Sequence, residues 1–351
     1  MKQEEVLRAW GNPDLYSPGL SVILADRQIR RGMENGTLSV DETAQNGAAL
    51  VTDQATGKWF LMTGGWENDS FPTAMLGAAC GDVAGSVYEH HNIKYKPNQD
   101  RLIQPLASFT DDTIMTCAVA EGIRQGLSQL PDNWMDAPDA ENVLCNSIQQ
   151  AMLTYGRKYL HAGYGRNFYY WLLSNDPQPY HSWGNGSAMR VSYAGWAARS
   201  LAEAEKLGEL SALVTHNHPE GMKGAAVVAG CIFLLRNGKT KADLFEYAGR
   251  FYDLNFTLDG IRDTYRFDVS CMGSVPQAIR AFLEAGCFSE VIANAISIGG
   301  DSDTIAAIAG SIAEVVYPIP QGLRARVIDK MDPFLLNTIA EAVDFMFRRL
   351  P

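Results

Sequence analysis

Two short acidic segments carry the residue types best suited to chemistry. Thr110-Asp111-Asp112-Thr113 and Asp301-Ser302-Asp303-Thr304 each combine two carboxylates with threonine hydroxyls. Each segment follows a turn signal and precedes a helical pattern rich in small residues. A helix N-terminus already satisfies its free N–H groups with one carboxylate, so the second carboxylate of each segment is not needed for capping.

Four carboxylates brought together would repel one another unless cations lay between them. Ligand sets made only of oxygen select hard ions such as Mg²⁺, Mn²⁺ or Ca²⁺ over zinc. One interpretation is therefore a site for one or two divalent ions, which requires the two segments to meet in space. The alternative is that each segment only caps its own helix, and sequence spacing alone does not decide between the two.

The chain from residue 72 to residue 351 is predicted to form one large all-α domain, because no alternating βαβ pattern appears. Apolar residues recur at three- and four-residue spacing, and the helices that this pattern predicts are dense in Ala, Gly and Ser, which favours close packing. The predicted helices are Met75–Tyr88, Ile114–Gln125, Val143–Tyr159, Ala188–Glu205, Pro219–Leu235, Lys241–Phe251, Val275–Glu284, Ser289–Ser297, Thr304–Val316 and Asn337–Arg348.

Residues 1–71 are predicted to be a small mixed α/β extension with its own fold. Ala48–Asp53 and Lys58–Thr63 flank the sequence Gln-Ala-Thr-Gly, which indicates a β-hairpin with a four-residue turn. A short helix is expected at Ser21–Met33.

The composition indicates a globular cytoplasmic protein. The 351 residues are 46% hydrophobic and 20% charged, and the formal net charge of −11 disfavours nucleic acid and anionic membranes as partners. No apolar run approaches the roughly 20 residues that span a bilayer, and a signal-peptide pattern is not seen. The six cysteines are dispersed without a CxxC pair, which favours reduced core residues over disulfides or zinc ligands.

Five segments combine glycines with acidic, hydroxyl or histidine side chains. They are Leu76-Gly77-Ala78-Ala79-Cys80-Gly81-Asp82-Val83-Ala84-Gly85 followed by Glu89; Ser108-Phe109-Thr110-Asp111-Asp112-Thr113; Gly184-Asn185-Gly186-Ser187-Ala188-Met189-Arg190; Thr215-His216 with His218-Pro219; and Gly299-Gly300-Asp301-Ser302-Asp303-Thr304. In this order, over about 280 of the 351 residues, they resemble the motifs of the ADP-ribosylglycohydrolases, the family of the dinitrogenase-reductase-activating glycohydrolases.

The resemblance implies an all-α fold with two Mg²⁺ ions per chain, or Mn²⁺ in their place, at the base of a cleft that binds ADP-ribose. It implies hydrolysis of the bond between the ribose anomeric carbon and a modified protein side chain. That side chain is arginine in most of the family, whereas one branch acts on serine and poly-ADP-ribose, and residues 85–91 are similar to that branch. The implied metal ligands are Thr110, Asp111, Asp112, Asp301, Asp303 and Thr304.

Three carboxylates are candidate catalytic residues. Asp111 or Asp112 would act as the general base that orients or deprotonates water, and both remain open. Glu89 would lie near the leaving group or on a flap over the metals; the alternative is a solvated Glu at a helix end. Asp82 is expected to be structural, as a buried group that supports the metal-bearing helices.

A glycine-rich loop offers backbone N–H groups that suit a pyrophosphate. The resemblance implies that His216 contacts the phosphates or the distal ribose of ADP-ribose; a capping role is the alternative. His218 and Pro219 are expected at a helix start, and the two histidines point in directions too different to share a zinc ion. The predicted ligand-binding residues are Gly184, Asn185, Gly186, Ser187 and His216.

Four further side chains have an expected packing or ligand-binding role. Arg190 is expected to anchor the glycine-rich loop through a carboxylate. Trp183 could stack on the adenine or close the cleft, although packing is the alternative. Tyr169 or Tyr170 could line an adenine pocket.

The extension at residues 1–71 suggests a further role. Some family members with a similar layout serve as bacterial immunity proteins against an ADP-ribosyltransferase toxin, which they counter by reversing the modification and by plugging the toxin's site. A cognate toxin is therefore an expected partner beside the ADP-ribosylated substrate. The rival interpretations are a binding protein that acts by occlusion, and a metal-dependent hydrolase of another nucleotide-like or glycosidic substrate.

Overall fold

A computed structural model describes the backbone of residues 38–43, 49–53 and 59–62, and residues 74–349 with their side chains. In the first part, strands β1, β2 and β3 form an antiparallel sheet in that order, with Leu38 opposite Asp53 and Val51 opposite Phe60. The strands are β1 (Leu38–Thr43), β2 (Ala49–Asp53) and β3 (Trp59–Met62).

Strands β2 and β3 confirm the predicted hairpin to within one residue at each end. Strand β1 was not predicted. The turn between β2 and β3 and the helix expected at Ser21–Met33 lie outside the described residues.

Residues 74–349 fold into fifteen α-helices and two short 3₁₀ turns at Gln99–Arg101 and Trp134–Asp136. This part of the chain confirms the all-α prediction. The helices are α1 (Leu76–Gly85), α2 (Asp111–Ser128), α3 (Ala140–Lys158), α4 (Arg166–Leu173), α5 (Gly186–Met189), α6 (Ser192–Ala197), α7 (Leu201–Leu213), α8 (Pro219–Arg236), α9 (Lys241–Ala248), α10 (Leu258–Ile261), α11 (Cys271–Leu283), α12 (Phe288–Ser297), α13 (Ser302–Ala313), α14 (Gln321–Lys330) and α15 (Pro333–Arg349).

The single helix predicted at Ala188–Glu205 is wrong, because the chain forms α5, α6 and α7 there. Ser200 is in an extended conformation and its side chain accepts a hydrogen bond from the backbone N–H of Glu203, so it begins a new helix. The guanidinium of Arg236 binds the backbone oxygens of Trp196 and Ala198 at this break, which satisfies carbonyls that the interrupted helix leaves free. Helices α4, α10 and α14 were not predicted.

Small residues bring the helices into close contact, as their density in the sequence predicts. A Cβ on Gly122 of α2 would lie 2.4 Å from the Cα of Ile148 in α3. A Cβ on Gly208 of α7 would lie 2.9 Å from the backbone oxygen of Ala225 in α8. Any side chain at either glycine would force these helices apart, since protein interiors have no spare volume at such contacts.

All six cysteines are free, as predicted; four are buried, Cys145 is half-buried and Cys287 is exposed. In the part of the chain that the structure describes, we find no helix with the length and apolarity needed to traverse a bilayer.

Candidate active site

The two acidic segments begin helices α2 and α13 and meet in space. Thr110 is the N-cap of α2, and its Oγ1 accepts a hydrogen bond from the backbone N–H of Asp112. Asp301 occupies the corresponding position before α13. Thr304 Oγ1 donates to Asp112 Oδ2 at 3.2 Å, although the two residues are 192 positions apart. The expectation that the segments lie face to face is confirmed by this contact.

Asp82 of α1 holds the first acidic segment in place. Its carboxylate accepts hydrogen bonds from the backbone N–H and the hydroxyl of Thr110, and from the backbone N–H and the hydroxyl of Thr113. Asp82 is fully buried, so these four bonds stabilise the charge that burial destabilises. Three of the four bonds reach Oδ2 and one reaches Oδ1, so the carboxylate is engaged mainly in supporting the first acidic segment. The structural role predicted for it is confirmed.

Glycines on α1 bring the second acidic segment to the first. A Cβ on Gly81 would lie 2.0 Å from the backbone oxygen of Ala306, and a Cβ on Gly85 would lie 2.4 Å from the Cα of Asp303. Helices α1 and α13 are antiparallel, because Glu314 at the end of α13 accepts hydrogen bonds from the backbone N–H groups of Met75 and Gly77. Asp303 therefore lies directly beside the end of α1, near Asp82.

The turn before α13 depends on two left-handed glycines. Gly299 and Gly300 have φ angles of 67° and 74°, which favour glycine over any other residue. Asn92 Oδ1 accepts a hydrogen bond from the N–H of Gly300, and Lys94 donates to the backbone oxygen of Ile298. The segment that follows Glu89 is thus tied to the turn that presents Asp301.

The carboxylates of the site are buried close together. Oxygens of Glu89, Asp301 and Asp303 lie within 4.8 Å of one another, and so do oxygens of Asp82, Asp112 and Asp303. Burial, and next the charge of Asp303, raises the pKa of Asp112 well above its usual range. Burial and the neighbouring carboxylates raise the pKa of Asp111 to about 8. Burial is also the main cause that raises the pKa values of Glu89, Asp301 and Asp303.

These residues fit hard divalent cations. Oδ1 of Asp112 is buried and has no hydrogen-bond partner within the described residues. An unpaired buried carboxylate oxygen is costly, and a cation would satisfy it while removing the repulsion between Asp112 and Asp303. All available donors are oxygens, which is the ligand chemistry that Mg²⁺ and Mn²⁺ prefer.

The acidic cluster lines a cavity of about 580 Å³, a size typical of small-molecule sites. The glycine-rich loop lies along the same cavity. The lining residues include Glu89, Thr110, Asp111, Asp112, Asp301, Asp303, Thr304, Gly184, Asn185, Gly186 and His216, together with Arg166, Phe168, Tyr180, Arg190 and Phe267.

Comparison with family models identifies the family. A model described as ADP-ribosylglycohydrolase matches residues 67–346. The chain belongs to the ADP-ribosylglycohydrolase family. The resemblance seen in the motifs is therefore confirmed, and the chain is a hydrolase of this enzyme class.

Three curated relatives and one solved structure illustrate the similarity. Human ADP-ribosylhydrolase ARH3 is 24% identical over 72% of this chain and 86% of its own. ADP-ribosylarginine hydrolase Tri1 of Pseudomonas putida (strain GB-1) is 25% identical over 74% and 73%. ADP-ribosyl-[dinitrogen reductase] glycohydrolase of Rhodospirillum rubrum is 24% identical over 81% and 97%. A solved ADP-ribosylglycohydrolase-related protein complex has a TM-score of 0.57 at 20% identity, covers 81% of this chain and 99% of its own, and shows the shared fold.

In this member of the family, the glycine-rich loop is fixed by its neighbours. The N–H of Asn185 donates to the backbone oxygen of Val269 at 2.7 Å, and Gly184 forms a bridge with Ser270. The Asn185 side-chain amide donates to Asp301 Oδ2 at 2.7 Å, so this residue supports the acidic cluster. The Ser187 hydroxyl donates to the backbone oxygen of Gly221 and does not line the cavity. Ligand binding by the loop stays a prediction.

His216 lies behind the loop and His218 lies at a helix start. His218 is the N-cap of α8 with Pro219 in the first turn, as predicted. His216 is only 5% exposed, and its Nδ1 lies 2.7 Å from the hydroxyl of Thr215. Burial, and next the charge of Arg190, lowers the pKa of His216 well below its usual value.

The carboxylate anchor expected for Arg190 is wrong. Arg190 donates to Thr215 Oγ1 at 2.7 Å and to the backbone oxygen of Ser211 at 3.2 Å. The carbonyl at the end of α7 and the threonine hydroxyl are within reach of the guanidinium, whereas no carboxylate lies within 4 Å of it in residues 74–349. Burial lowers the pKa of Arg190 to about 10.

The cavity differs from the sequence expectations mainly in its aromatic residues. Trp183 and Tyr170 are exposed, and neither they nor Tyr169 line the cavity. Phe168 and Phe267 do line it, together with Tyr180 and the exposed Arg166. The sequence gives Phe168 the spacing of a core residue, so only the fold distinguishes a core aromatic from one that faces a ligand.

Proposed function

We propose that the chain is a divalent-metal-dependent hydrolase that removes ADP-ribose from modified protein side chains, with arginine as the preferred acceptor. The observation that carries this proposal is the convergence of both acidic segments on one cavity beside the glycine-rich loop. An acidic end suits cations and the reacting ribose, while the loop and His216 suit the remainder of an ADP-ribose molecule.

The proposed cofactor is two Mg²⁺ ions per chain, with Mn²⁺ as a substitute. The proposed ligands are Asp111, Asp112, Asp301 and Asp303, with Thr304 and Thr110 contributing hydroxyl oxygens. Thr110 Oγ1 donates to Asp82 and accepts from Asp112, so one lone pair remains for a cation. When bound, the cations would hold the ribose hydroxyls and bring the pKa of a bound water towards neutrality.

The chain's own carboxylates would handle the proton. Asp112 is oriented by the hydroxyl of Thr304, and Asp111 is half-buried at the cavity, so either can serve as the general base. Cleavage of a glycosidic bond develops positive charge on the ribose, which the remaining carboxylates would stabilise. Glu89 is half-buried and would lie beside the leaving group.

Arginine is the preferred acceptor because a half-buried carboxylate such as Glu89 can pair with a departing guanidinium. A hydroxyl leaving group gains less from that pairing. Among the relatives, Tri1 is named an ADP-ribosylarginine hydrolase. An ADP-ribosyl-serine or poly-ADP-ribose activity is the alternative within the same site, favoured by the similarity of residues 85–91 to that branch.

The test is release of ADP-ribose from peptides modified on arginine or on serine, with and without EDTA. We expect faster release from arginine, and loss of release upon chelation. Asp112→Asn should lower the rate by about 10²–10⁴-fold, whereas the matched variant Asp176→Asn at an exposed position should match wild type. Undiminished activity in EDTA would contradict the metal dependence.

A second candidate function is occlusion of an ADP-ribosyltransferase toxin by the extension. The observation that favours it is that β1, β2 and β3 precede residue 67, where the family match begins. Deletion of residues 1–71 should then abolish capture of a candidate transferase in a pull-down. Asp111→Ala separates the two modes, because protection that survives this substitution indicates occlusion and protection that is lost indicates hydrolysis.

A further inference from the structure

Arg190, Thr215 and His216 form a buried chain of hydrogen bonds that ends at the cavity. Arg190 Nη2 lies 2.7 Å from Thr215 Oγ1, which in turn lies 2.7 Å from His216 Nδ1. The three residues are 1%, 0% and 5% exposed, so water does not compete for these bonds. The proposed hydrolysis assigns no task to Arg190 or Thr215.

The chemistry of its members fixes the direction of the first bond in this chain and favours one direction for the second. A guanidinium has donors and no acceptor, so Thr215 Oγ1 must accept from Arg190. The single hydrogen of the Thr215 hydroxyl is then available for His216 Nδ1. An imidazole that accepts at Nδ1 carries its own hydrogen on Nε2. A second proton on His216 is opposed by burial and by the charge of Arg190.

His216 Nε2 faces the backbone of the glycine-rich loop. A Cβ on Gly184 would lie 3.4 Å from Nε2, and a Cβ on Gly186 would lie 3.3 Å from it. His216 is one of the residues that line the cavity. The two glycines therefore leave the Nε2–H group accessible to a ligand held along the loop.

Arg190 brings a positive charge to the same place. Its acceptors are the Thr215 hydroxyl and the backbone oxygen of Ser211 in the last turn of α7. The end of a helix offers only about half a negative charge. Arg190 is also one of the residues that line the cavity, and its Nε is buried without a partner within the described residues. Part of the positive charge is thus left to stabilise an anion in the cavity.

We propose that Arg190 and Thr215 are positioning residues that hold His216 as a neutral Nε2–H donor for a phosphate oxygen of bound ADP-ribose, with the Arg190 charge stabilising that phosphate. This proposal rests on the proposed function for the identity of the ligand. The tautomer of His216 does not depend on which ligand binds, so the proposed function and the positioning of His216 can be contradicted separately.

The first test is a long-range ¹H–¹⁵N correlation spectrum of the full-length chain, in which the pattern of the imidazole distinguishes the tautomers. Loss of one of the signals in His216→Gln assigns His216 among the six histidines. We expect the neutral Nε2–H pattern in wild type and in Thr215→Ser, and a changed pattern in Thr215→Val. Thr338→Val removes a buried hydroxyl that pairs with Tyr155 outside the cavity, and should leave the pattern unchanged. An Nδ1–H or doubly protonated His216 in wild type, or an unchanged pattern in Thr215→Val, would overturn the proposal.

The second test compares binding of ADP-ribose and adenosine by titration calorimetry with Mg²⁺ present. Arg190→Met and Thr215→Val should weaken ADP-ribose binding by about tenfold or more, since each disturbs a charge-assisted contact. Adenosine lacks phosphates, so its affinity should change by less than about twofold. Equal losses for both ligands would overturn the proposal. Wild-type protein that binds no ADP-ribose would instead contradict the proposed function. The ¹H–¹⁵N spectrum would still test the positioning of His216 in that case.

Discussion

The two acidic segments have similar sequences but are held in different ways. The first is fixed by side chains, since the hydroxyls of Thr110 and Thr113 both donate to Asp82. The second is fixed by backbone, through the left-handed turn at Gly299 and Gly300 and the contact of α13 with the glycines of α1. In the first segment both threonine hydroxyls bind Asp82 within the same side of the site, whereas Thr304 of the second segment donates to Asp112 across it.

The difference shows how a site of like charges can be assembled. Four donors surround the buried Asp82 carboxylate and oppose the effect of burial, which raises its pKa, and these bonds give the first segment a fixed frame. The second segment is held against α1 by glycine contacts, which need no polar partner, and it brings the Asp303 carboxylate close to Asp82 and Asp112. Only side chains that face the cavity are left to bind ligands.

The largest effect on stability is expected from removing the Asp82 carboxylate that holds the first segment. Asp82→Ala leaves the N–H and hydroxyl of Thr113 buried without a partner, and each unsatisfied buried donor costs about 1–3 kcal/mol. We expect the free energy of unfolding to fall by about 2–6 kcal/mol in urea denaturation. Asp176→Ala at an exposed position is the control, and equal stability of the two variants would contradict the role of Asp82.

The next effect tests the backbone contact of the second segment. Gly81→Ala places a methyl group against the backbone of Ala306, which must move away. We expect a loss of about 1–3 kcal/mol and a weaker response to Mg²⁺, because α13 carries Asp303 with it. Gly322→Ala is the matched control, since its Cβ would have no neighbour within 4 Å. A Gly81 variant with wild-type stability would disprove the close contact.

A smaller effect is expected from removing one threonine hydroxyl in each segment, and it should differ between the two segments. Thr113→Val should lower stability by about 1 kcal/mol, because it removes one buried hydrogen bond. Thr304→Val should change stability less but weaken Mg²⁺-dependent activity, because its hydroxyl faces Asp112. Unfolding curves and Mg²⁺ titrations of both variants measure the contrast. The same profile for both variants would mean that the two segments are equivalent.

The smallest effect on stability is expected from a change of pH, because Asp111 is half-buried and water screens part of its charge. Its pKa is about 8 in the folded chain against the ordinary value of 3.8. Between these values the unfolded state binds fewer protons, so stability falls as pH rises. We expect the melting temperature of metal-free protein to decrease from about pH 5 to about pH 8, and the decrease to be smaller in Asp111→Asn. A melting temperature that rises over this interval would contradict the sign.

Local signals made the starts of three helices at the site predictable. The acidic residues of both segments indicate helix starts, and α2 and α13 begin there. His218 before Pro219 predicts the start of α8 for the same reason. These features depend on a few neighbouring residues, which a single sequence displays completely.

Hydrogen-bond partners that are far apart in the sequence were not predictable. The amide of Asn185 supports Asp301 across 116 positions, and Arg190 selects a hydroxyl and a carbonyl instead of a carboxylate. The break of the helix predicted at Ala188–Glu205 depends on Arg236, which lies far along the chain. Such partners are chosen by three-dimensional packing, and hydrophobic periodicity contains no information about them.

In the antiparallel pair of α1 and α13, the lengths of the helices determine where the second acidic segment lies relative to α1. Glu314 joins the pair at one end, and Gly85 meets Asp303 at the other. One residue inserted into either helix would shift the rest of that helix by about 1.5 Å and rotate it by about 100°. The position of Asp303 beside Gly85 and Asp82 is therefore set by the number of residues between two fixed points, so we expect length changes here to be tolerated less well than substitutions.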